Sequence, residues 1–286
     1  MDDQEYHPLK KTLPQVAVDL ALLTGLPYFN ALTKELSAIL AADIVLVAEI
    51  LSGEKQARTV YADMGGETAE NFGFELCGSV FSTLLDGYFH IFPTGITTYF
   101  PDDYLLIDLS VEGFAGIPIL NSQQNVTGFF VAMFQSAIEN QSGIESTLKF
   151  FAPRVSAELE LKVMTDKLKE KESLFLGLSD LVEDVLVVIN FQGTISFVSS
   201  AASGLFGLRP DEMTGHQFAE FLTPDTRILG MQEFEKFIAS DVLRFELELK
   251  VTDKNKNHHA VRWSAVKTKI GDEITGIAGI LRKLIN

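Results

Sequence analysis

The sequence predicts an α+β protein of two domains, each a central antiparallel β-sheet with flanking helices, joined by a long helix. A length of 286 residues, with 47% hydrophobic and 22% charged residues, suits about two globular domains. Apolar runs bounded by glycines recur in both halves and indicate strands. Between them, residues 157–178 are charged and carry apolar residues in steps of three and four, which indicates a helix.

The charge balance excludes several classes of partner. A formal net charge of −16 repels nucleic-acid phosphates and anionic lipids, so we expect no nucleic-acid partner. Acidic residues interrupt the apolar runs, and the N-terminus lacks the pattern of a signal peptide, so we expect no membrane insertion. The single cysteine, Cys77, allows no internal disulfide. These observations together predict a cytoplasmic protein.

The first half begins with two amphipathic helices. The first, predicted over 13–24, places Val16, Leu20 and Leu23 on one face, and the second follows over 27–42. The segments "DIVLVAEILSG" and "QARTVYADMGG" then predict a pair of antiparallel strands with a turn near Gly53.

Short elements follow in the middle of the first half. "NFGFELCG" and "YFHIFP" read as extended, and "SVFSTLLDG" reads as a short helix with Ser79 as its cap and Gly87 as its stop. A further helix is expected to start at Asp102 or Asp103. The strands "GFAGIPILN" and "NVTGFFVAMFQS" form a hairpin through the polar turn "SQQN", and a helix then runs from Ile144 to about Leu178.

This order of elements over residues 13–160 resembles the GAF domain. The similarity is most specific in "ENFGFELCGSVFSTLLDG", "FPTGITTYFPDDYLL" and "GFAGIPILNSQQNVTGFFVAM". The GAF type it resembles precedes PAS domains in bacterial sensor proteins. We therefore expect an N-terminal tail over 1–12 and a GAF-like sensory domain over 13–156.

The second half, over residues 175–284, resembles the PAS domain. It opens with two strands around a turn at Gly193 and continues with short helices punctuated by Gly207, Pro210, Gly215 and Pro224. A longer helix, "TRILGMQEFEKFIAS", leads to the strands "VLRFELELKV", "HAVRWSAVKTKI" and "EITGIAGILRKL", with turns at "TDKNKNH" and at Gly271-Asp272. We expect a PAS-like sensory domain over 179–286.

The segment 157–178 predicts a helical coiled-coil linker. About three heptads with Lys171 at a core position make a marginal coil, so flanking domains would have to help it. In GAF and PAS relatives such a helix and the domain's first helix form a parallel dimer bundle, which implies a homodimer here. The residues expected at this contact are Val16, Leu20, Leu23, Ala157, Leu161, Met164, Leu168, Phe175 and Leu178.

Several catalytic and cofactor signatures are missing or misplaced. No phosphate-binding glycine loop is present, and Ser264 and Lys267 fall on a predicted strand, where Ser-x-x-Lys chemistry does not work. The adjacent His258 and His259 point to opposite faces of a strand, which excludes joint metal binding. His216 lies outside the long helix, where PAS haem ligands belong, and the PAS half has no cysteine for a photoreactive flavin. We predict no cofactor, no metal and no catalytic residue.

Aromatic residues mark two candidate ligand pockets, although most of them are also expected as ordinary core. Cys77 is expected as a small buried hydrophobic residue or a polar pocket member, together with His90. The GAF-like candidates are Phe72, Phe74, Cys77, Phe81, Phe89, His90, Phe92, Tyr99, Phe100, Tyr104 and Phe114. The PAS-like candidates are Phe197, Phe206, Phe218, Phe221, Phe237 and Trp263.

The sequence thus predicts a non-enzymatic GAF-PAS sensory module of bacterial signal transduction, including two-component systems. It would sense a small molecule or a conformational input and relay it through a dimeric helix to a downstream kinase, cyclase or other signalling partner. A free-standing adaptor is one alternative, favoured by Lys283 in place of an aspartate frequent at the end of sensor PAS domains. A haem or flavin redox or light sensor is the other. The signal, the output and the completeness of the chain stay open.

Overall fold

The chain divides into two compact units, residues 1–167 (unit 1) and 168–286 (unit 2). The computed structural model describes residues 11–51, 53, 55–271 and 273–284. The predicted N-terminal tail therefore lies outside the described residues except for Lys11 and Thr12, as does Asp272 of the last predicted turn. Both units contain antiparallel sheets with flanking helices, and one long helix runs between the two sheets, so the predicted α+β class is confirmed.

Unit 1 is built on a seven-stranded antiparallel sheet in the order β3-β2-β1-β7-β6-β5, with β4 paired to β2. Its strands are β1 (Ile44–Ile50), β2 (Gln56–Met64), β3 (Glu67–Thr68), β4 (Gly73–Glu75), β5 (His90–Phe92), β6 (Gly113–Leu120) and β7 (Val126–Phe134). Its helices are α1 (Leu13–Leu20), α2 (Gly25–Leu40), a 3₁₀ helix (Val80–Asp86), α3 (Ile96–Tyr99), α4 (Tyr104–Asp108) and the start of α5 (Gln141–Asp180).

Both faces of this sheet are covered by apolar side chains. Val45 and Val47 of β1 face the core shared with α1, α2 and α5, whereas Leu46 and Ala48 face the core shared with the 3₁₀ helix, α3 and α4. A strand buried on two faces reads as a continuous apolar run, because neither face has to meet water. This explains why the sequence of β1 does not alternate between apolar and polar residues.

The first helix departs from its predicted role. Val16 and Leu20 are buried in the unit 1 core, and Leu23 packs against that core. The prediction that these residues form a dimer contact is therefore wrong, because their face of the helix is already used to cover the sheet. The apolar residues that this region exposes are Val18, Leu22 and Leu26.

One buried carboxylate caps two short helices. Asp103 accepts hydrogen bonds from the backbone amides of Leu105 and Leu106 at the start of α4, and from the amide of Val80 at 2.9 Å. Ser79 does not cap the 3₁₀ helix as predicted, since its hydroxyl donates to the carbonyl oxygen of Leu76. The carboxylate of Asp103 takes that place, which suits the positive end of a helix better than a hydroxyl does.

Unit 2 is built on a five-stranded antiparallel sheet in the order β10-β11-β12-β8-β9, with the helices packed on one face. Its strands are β8 (Val185–Asn190), β9 (Ile195–Val198), β10 (Arg244–Thr252), β11 (His258–Ile270) and β12 (Glu273–Lys283). Its helices are α6 (Ala202–Phe206), α7 (Pro210–Met213), a 3₁₀ helix (Phe218–Phe221) and α8 (Pro224–Ala239).

Helix α8 is fastened to the sheet at two places. At its middle, a Cβ on Gly230 would come within 3.4 Å of a methyl carbon of Leu249 on β10, and within 2.8 Å of one of Leu222. At its carboxyl end, the ammonium group of Lys267 on β11 donates to the carbonyl oxygens of Ile238 and Ser240. A cation at this end also interacts favourably with the helix dipole.

None of the helices in the described part of the chain combines the length and the apolar character that a bilayer crossing requires.

We expect the replacement Gly279→Ala to destabilise unit 2 by about 1–3 kcal/mol, because overpacking a filled core forces side chains to move. A Cβ on Gly279 would lie 2.3 Å from Nε1 of Trp263. The matched replacement Gly204→Ala, in a helix with open space around it, should be neutral or stabilising by up to about 1 kcal/mol. Urea unfolding followed by the fluorescence of Trp263, the single tryptophan, measures both. Equal effects of the two variants would contradict this packing account.

The β10–β11 turn contains a carboxylate that stabilises the hairpin in its ionised form. Asp253 accepts hydrogen bonds from the side chain and backbone of Asn257, from the His259 ring and from the backbone amide of Asn255. The Asn257 side chain contributes most to lowering the pKa of Asp253, from an ordinary value of 3.8 to about 2. A lowered folded-state pKa stabilises the fold above the unfolded value, and this contribution is lost as the pH falls.

We therefore expect the stability advantage of the natural chain over the Asp253→Asn variant to shrink as the pH falls from about 4 to about 2. Thermal unfolding across this interval measures the difference. Asp241→Asn, at an exposed aspartate of the same unit, serves as the control and should show no such trend. A constant difference between the natural chain and Asp253→Asn would show that the turn does not depend on the charge.

Candidate functional site

Unit 2 contains a small cavity between the inner face of its sheet and the helices that cover it. The cavity has a volume of about 130 Å³. Strand residues at alternating positions face it from β8, β10 and β11, because every second side chain of a strand points to the same face. The apolar residues that line this unit 2 cavity are Ile189, Phe191, Phe218, Ala219, Leu222, Met231, Phe234, Leu249 and Trp263.

Polar groups line only part of the unit 2 cavity. They are Gln192, Gln217 and Glu235, together with the backbone of Gly193, and Gln217 donates through Nε2 to the hydroxyl of Thr194 at 3.0 Å. The described lining residues include no Lys, Arg or His. An anionic ligand would therefore meet a carboxylate and no cation, and a neutral ligand fits better.

Trp263 is the largest side chain at this site. It is 2% exposed, and its ring lies 5.4 Å from that of Phe218 and 5.7 Å from that of Phe245, measured between ring centroids. Its Nε1 has no hydrogen-bond partner among the described residues and lies against Gly279. The absence of a side chain at Gly279 allows the indole to approach the backbone of β12 this closely.

The size of the unit 2 cavity limits what it can hold. An engineered apolar cavity of about 150 Å³ stays dry and binds benzene, so a volume of this order fits one small ring. A haem macrocycle or the three fused rings of a flavin would not fit without a large displacement of α8. The geometry therefore suits a small, neutral, largely apolar molecule.

The six aromatic residues predicted to line a pocket in the PAS half lie in different parts of unit 2. Phe218 and Trp263 line the unit 2 cavity. Phe206 and Phe221 contact each other at 5.8 Å away from the lining, and Phe237 stacks on Phe245 at 5.0 Å. The prediction that Phe197 lines the PAS-like pocket is wrong, because Phe197 lies on the outer face of the sheet beside Phe175. Aromatic content did not reveal the aliphatic lining, although the alternation in β8 and β10 could have indicated Ile189 and Leu249.

The outer face of the unit 2 sheet carries a second depression of about 390 Å³. Antiparallel sheets with one solvated face normally alternate between apolar and polar residues. Here the outer positions of β8, β9 and β12 that border the depression are apolar, whereas β10 and β11 add Arg244, Glu246 and Ser264 beside Val266. The apolar residues that line this outer groove are Phe175, Leu186, Val188, Phe197, Val266, Ala278 and Ile280.

The aromatic candidates of unit 1 form a core cluster and no closed pocket. Phe81 and Phe114 are fully buried, and Phe81 contacts Phe74 at 4.2 Å and Phe114 at 5.7 Å between ring centroids. Phe72, Phe92 and Phe100 are partly buried and extend this cluster. Phe89 packs instead on the opposite face of the sheet, so the prediction that it joins the others is wrong.

The remaining unit 1 candidates lie at the surface. Cys77 is exposed, contrary to the expectation of a buried cysteine, and Tyr99 and Tyr104 are 68% and 77% exposed. His90 contacts the carboxylate of Asp86 at 2.8 Å. Phe74, Cys77, Phe81 and Tyr104 line one shallow surface depression with several carboxylates. Within the described residues, no cluster of three or more His, Cys, Asp or Glu side chains could hold a metal ion.

Residues 179–284 match the family model described as PAS fold. This part of the chain is a PAS domain. PAS domains are typical of sensory signal-transduction proteins, and the match includes every residue that lines the unit 2 cavity. No curated protein matches the chain.

Solved structures similar to this chain include several PAS domains. A PAS domain from Colwellia psychrerythraea is 19% identical, with a TM-score of 0.36 and coverage of 41% of this chain and 96% of its own. A PAS domain of an HTR-like protein from Haloarcula marismortui is 18% identical, with a TM-score of 0.37 and coverage of 43% and 99%. A PAS domain from a two-component sensor histidine kinase is 8% identical, with a TM-score of 0.35 and coverage of 41% and 98%.

Proposed function

We propose that this protein is a non-enzymatic sensory module in which a GAF-like domain and the PAS domain are coupled by α5. The PAS domain binds a small neutral molecule in the unit 2 cavity, and the state of the two domains reaches a downstream kinase, cyclase or other signalling partner. The observation that carries this proposal is the largely apolar cavity between the PAS sheet and α8. We infer that a protein of this kind works in the cytoplasm, which a single cysteine without a partner for an internal disulfide favours.

The element order of unit 1 supports the GAF assignment. Two helices precede β1 and β2, short helices and strands fill the middle, and the β6–β7 hairpin leads into α5. This is the order on which the resemblance of residues 13–160 to the GAF domain rests. Helix α5 then begins within unit 1 and ends just before the first strand of the PAS domain.

Exposed apolar residues on α5 support a homodimer. Leu161, Met164, Leu168 and Leu178 are between 55% and 67% exposed and recur at the spacing of a coiled-coil seam. Phe175 belongs to the same row and contacts Phe197 of the outer groove at 5.1 Å. The apolar row and the outer groove are therefore continuous, so pairing with a second copy would remove both from water.

We expect toluene, a neutral ring of suitable size, to bind the unit 2 cavity and change the fluorescence of Trp263. Benzoate, the same ring with a carboxylate, should bind at least 10-fold more weakly because it would be desolvated without a cation. The variant Ala219→Leu should fill the cavity and weaken toluene binding at least 10-fold, since Ala219 lines it. Fluorescence titration of the full chain measures these affinities.

The variant Ala239→Leu is the matched control, because Ala239 is exposed at the end of α8 and should leave toluene binding unchanged. Equal binding of toluene and benzoate, or toluene binding that Ala219→Leu leaves intact, would overturn the assignment of the unit 2 cavity.

We expect the full chain to sediment as a dimer and the variant Leu168→Glu to dissociate at least 10-fold more readily. A carboxylate at a seam position loses apolar contact and faces its own copy across the axis. Lys169→Glu introduces the same side chain next to the seam and should leave the dimer largely intact. Sedimentation velocity over a range of concentrations provides the dissociation constants. A monomeric natural chain would contradict the dimeric relay.

A further inference from the structure

Helix α5 packs on the rest of unit 1 up to about residue 162, and three polar side chains attach its last turns there. They are Glu158, Glu160 and Lys162, and each contacts a different element of unit 1. Leu159, between them, is fully buried, whereas Leu161 and Met164 are largely exposed. We call the contacts of residues 158, 160 and 162 the polar latch.

The first contact joins α5 to the start of α2. Glu158 is 5% exposed, and its Oε2 accepts a hydrogen bond from the backbone amide of Gly25 at 2.7 Å. Its Oε1 pairs with Arg154 at 2.7 Å, and Arg154 also donates to the carbonyl oxygen of Leu23 and lies 5.3 Å from the ring of Tyr28. Glu158 therefore caps α2 with a carboxylate that is itself neutralised.

The second contact joins α5 to strand β1. The ammonium group of Lys162 lies 3.0 Å from Glu49 Oε2, and the other oxygen of Glu49 pairs with Arg58 at 2.8 Å. Glu49 is 7% exposed, and removing either cation would leave a buried carboxylate incompletely paired, which is strongly destabilising. Burial alone would lower the pKa of Lys162, but its hydrogen bonds with Asp166 and Glu49 outweigh that effect and raise it.

The third contact joins α5 to the β6–β7 turn. The hydroxyl of Ser122 donates to Glu160 Oε1 at 2.9 Å. Ser122 is exposed and Glu160 is only partly buried, so this hydrogen bond is weaker than the other two contacts. Residues 158 and 162 are four apart and lie on the same face of α5, whereas residue 160 points away from that face, so the polar latch holds α5 from two sides.

The charge order of α5 opposes a slide by one turn in either direction. If residue 162 took the place of residue 158, Lys162 would meet the donor N–H of Gly25 and Asp166 would come next to Glu49. If residue 154 took that place instead, Arg154 would meet the N–H of Gly25 and Glu158 would come next to Glu49. In both shifts a cationic side chain would face the N–H donor of Gly25, which needs an acceptor. A second carboxylate would also lie beside the buried carboxylate of Glu49, which is unfavourable.

We propose that the polar latch fixes the register of α5 on unit 1, so that a change in unit 1 moves the helix by pivoting about residues 158–162 and never by sliding one turn. This inference rests on the proposed relay, since it specifies the motion that α5 transmits. Glu158 and Lys162 are positioning residues in this view. A pivot displaces the distal part of α5 sideways and keeps its axial position constant.

Distances between two spin labels on the full chain test the proposal. One label is attached to Cys77, the native exposed cysteine of unit 1, and the other to the variant Lys171→Cys on α5. Dilution with unlabelled protein removes distances between copies. We expect one narrow distance distribution, and we expect the added pair Glu158→Gln with Lys162→Gln to produce a second population displaced by about one turn, roughly 5.4 Å.

The pair Lys169→Gln with Glu170→Gln is the matched control, because it removes the same charges from the exposed part of the same helix and should leave one narrow distribution. The proposal is overturned if the latch pair leaves the distribution unchanged, if the control pair alters it equally, or if the natural chain already populates the displaced register. Circular dichroism shows whether each variant is folded, and the single variant Ser122→Ala provides a milder perturbation, expected to broaden the distribution without a second population.

Failure of the relay gives a different result. The toluene affinity of the unit 2 cavity is measured in the same variants through Trp263. A displaced population with an unchanged affinity would contradict coupling between the units and leave the polar latch intact, whereas unchanged distances overturn the polar latch alone.

Discussion

The structure depends on one constraint, which is that the helix leaving unit 1 is also a wall of the unit 1 core. Val155 and Leu159 of α5 are fully buried against the sheet, in the same turns where Glu158 caps α2. Hydrophobic burial holds this part of α5 against the sheet but is tolerant of small displacements, because it has no directional preference. The charged groups add the direction that burial lacks, since a carboxylate and an ammonium group must meet specific partners.

Unit 1 and the PAS domain differ in the interactions that hold their helices in place. In unit 1 the buried charges of Glu49 and Glu158 are each matched by a cation, which is costly to disturb because an unpaired buried charge is strongly destabilising. In the PAS domain one wall of the cavity is helix α8, which is attached at Gly230 and at its carboxyl end by Lys267, and Met231, Phe234 and Glu235 line the cavity between these points. Apolar contacts have no directional preference, so the attachment of α8 differs in kind from the charged attachment of α5.

Much of the fold could be predicted from the sequence because local patterns decide it. Alternation and glycine turns located the strands of both sheets except the two-residue β3, and the apolar row of α5 lies on an exposed face, as its heptad spacing indicates. The wrong predictions concern which partner an apolar residue contacts, because the spacing of apolar residues does not determine the partner. Val16 and Leu20 do form an apolar face, but the pattern cannot tell a face that meets its own sheet from one that meets a second copy. Likewise, aromatic content near residues 72–114 showed a cluster without showing which face of the sheet each ring joins, so Phe89 was misplaced. Phe218 and Trp263, two of the six aromatic residues predicted for the PAS-like pocket, line the unit 2 cavity.

The shared cap at Asp103 has an evolutionary consequence. Its carboxylate serves the amides of Val80, Leu105 and Leu106 at the same time, so the two helix starts are joined through one side chain. Oδ2 of Asp103 accepts from Val80 and Oδ1 accepts from Leu105 and Leu106, so a shift of either helix start would move the carboxylate away from the other. Insertions and deletions next to Val80 or Asp103 should therefore be selected against, which gives this buried corner of the domain less freedom to vary than surface loops usually have.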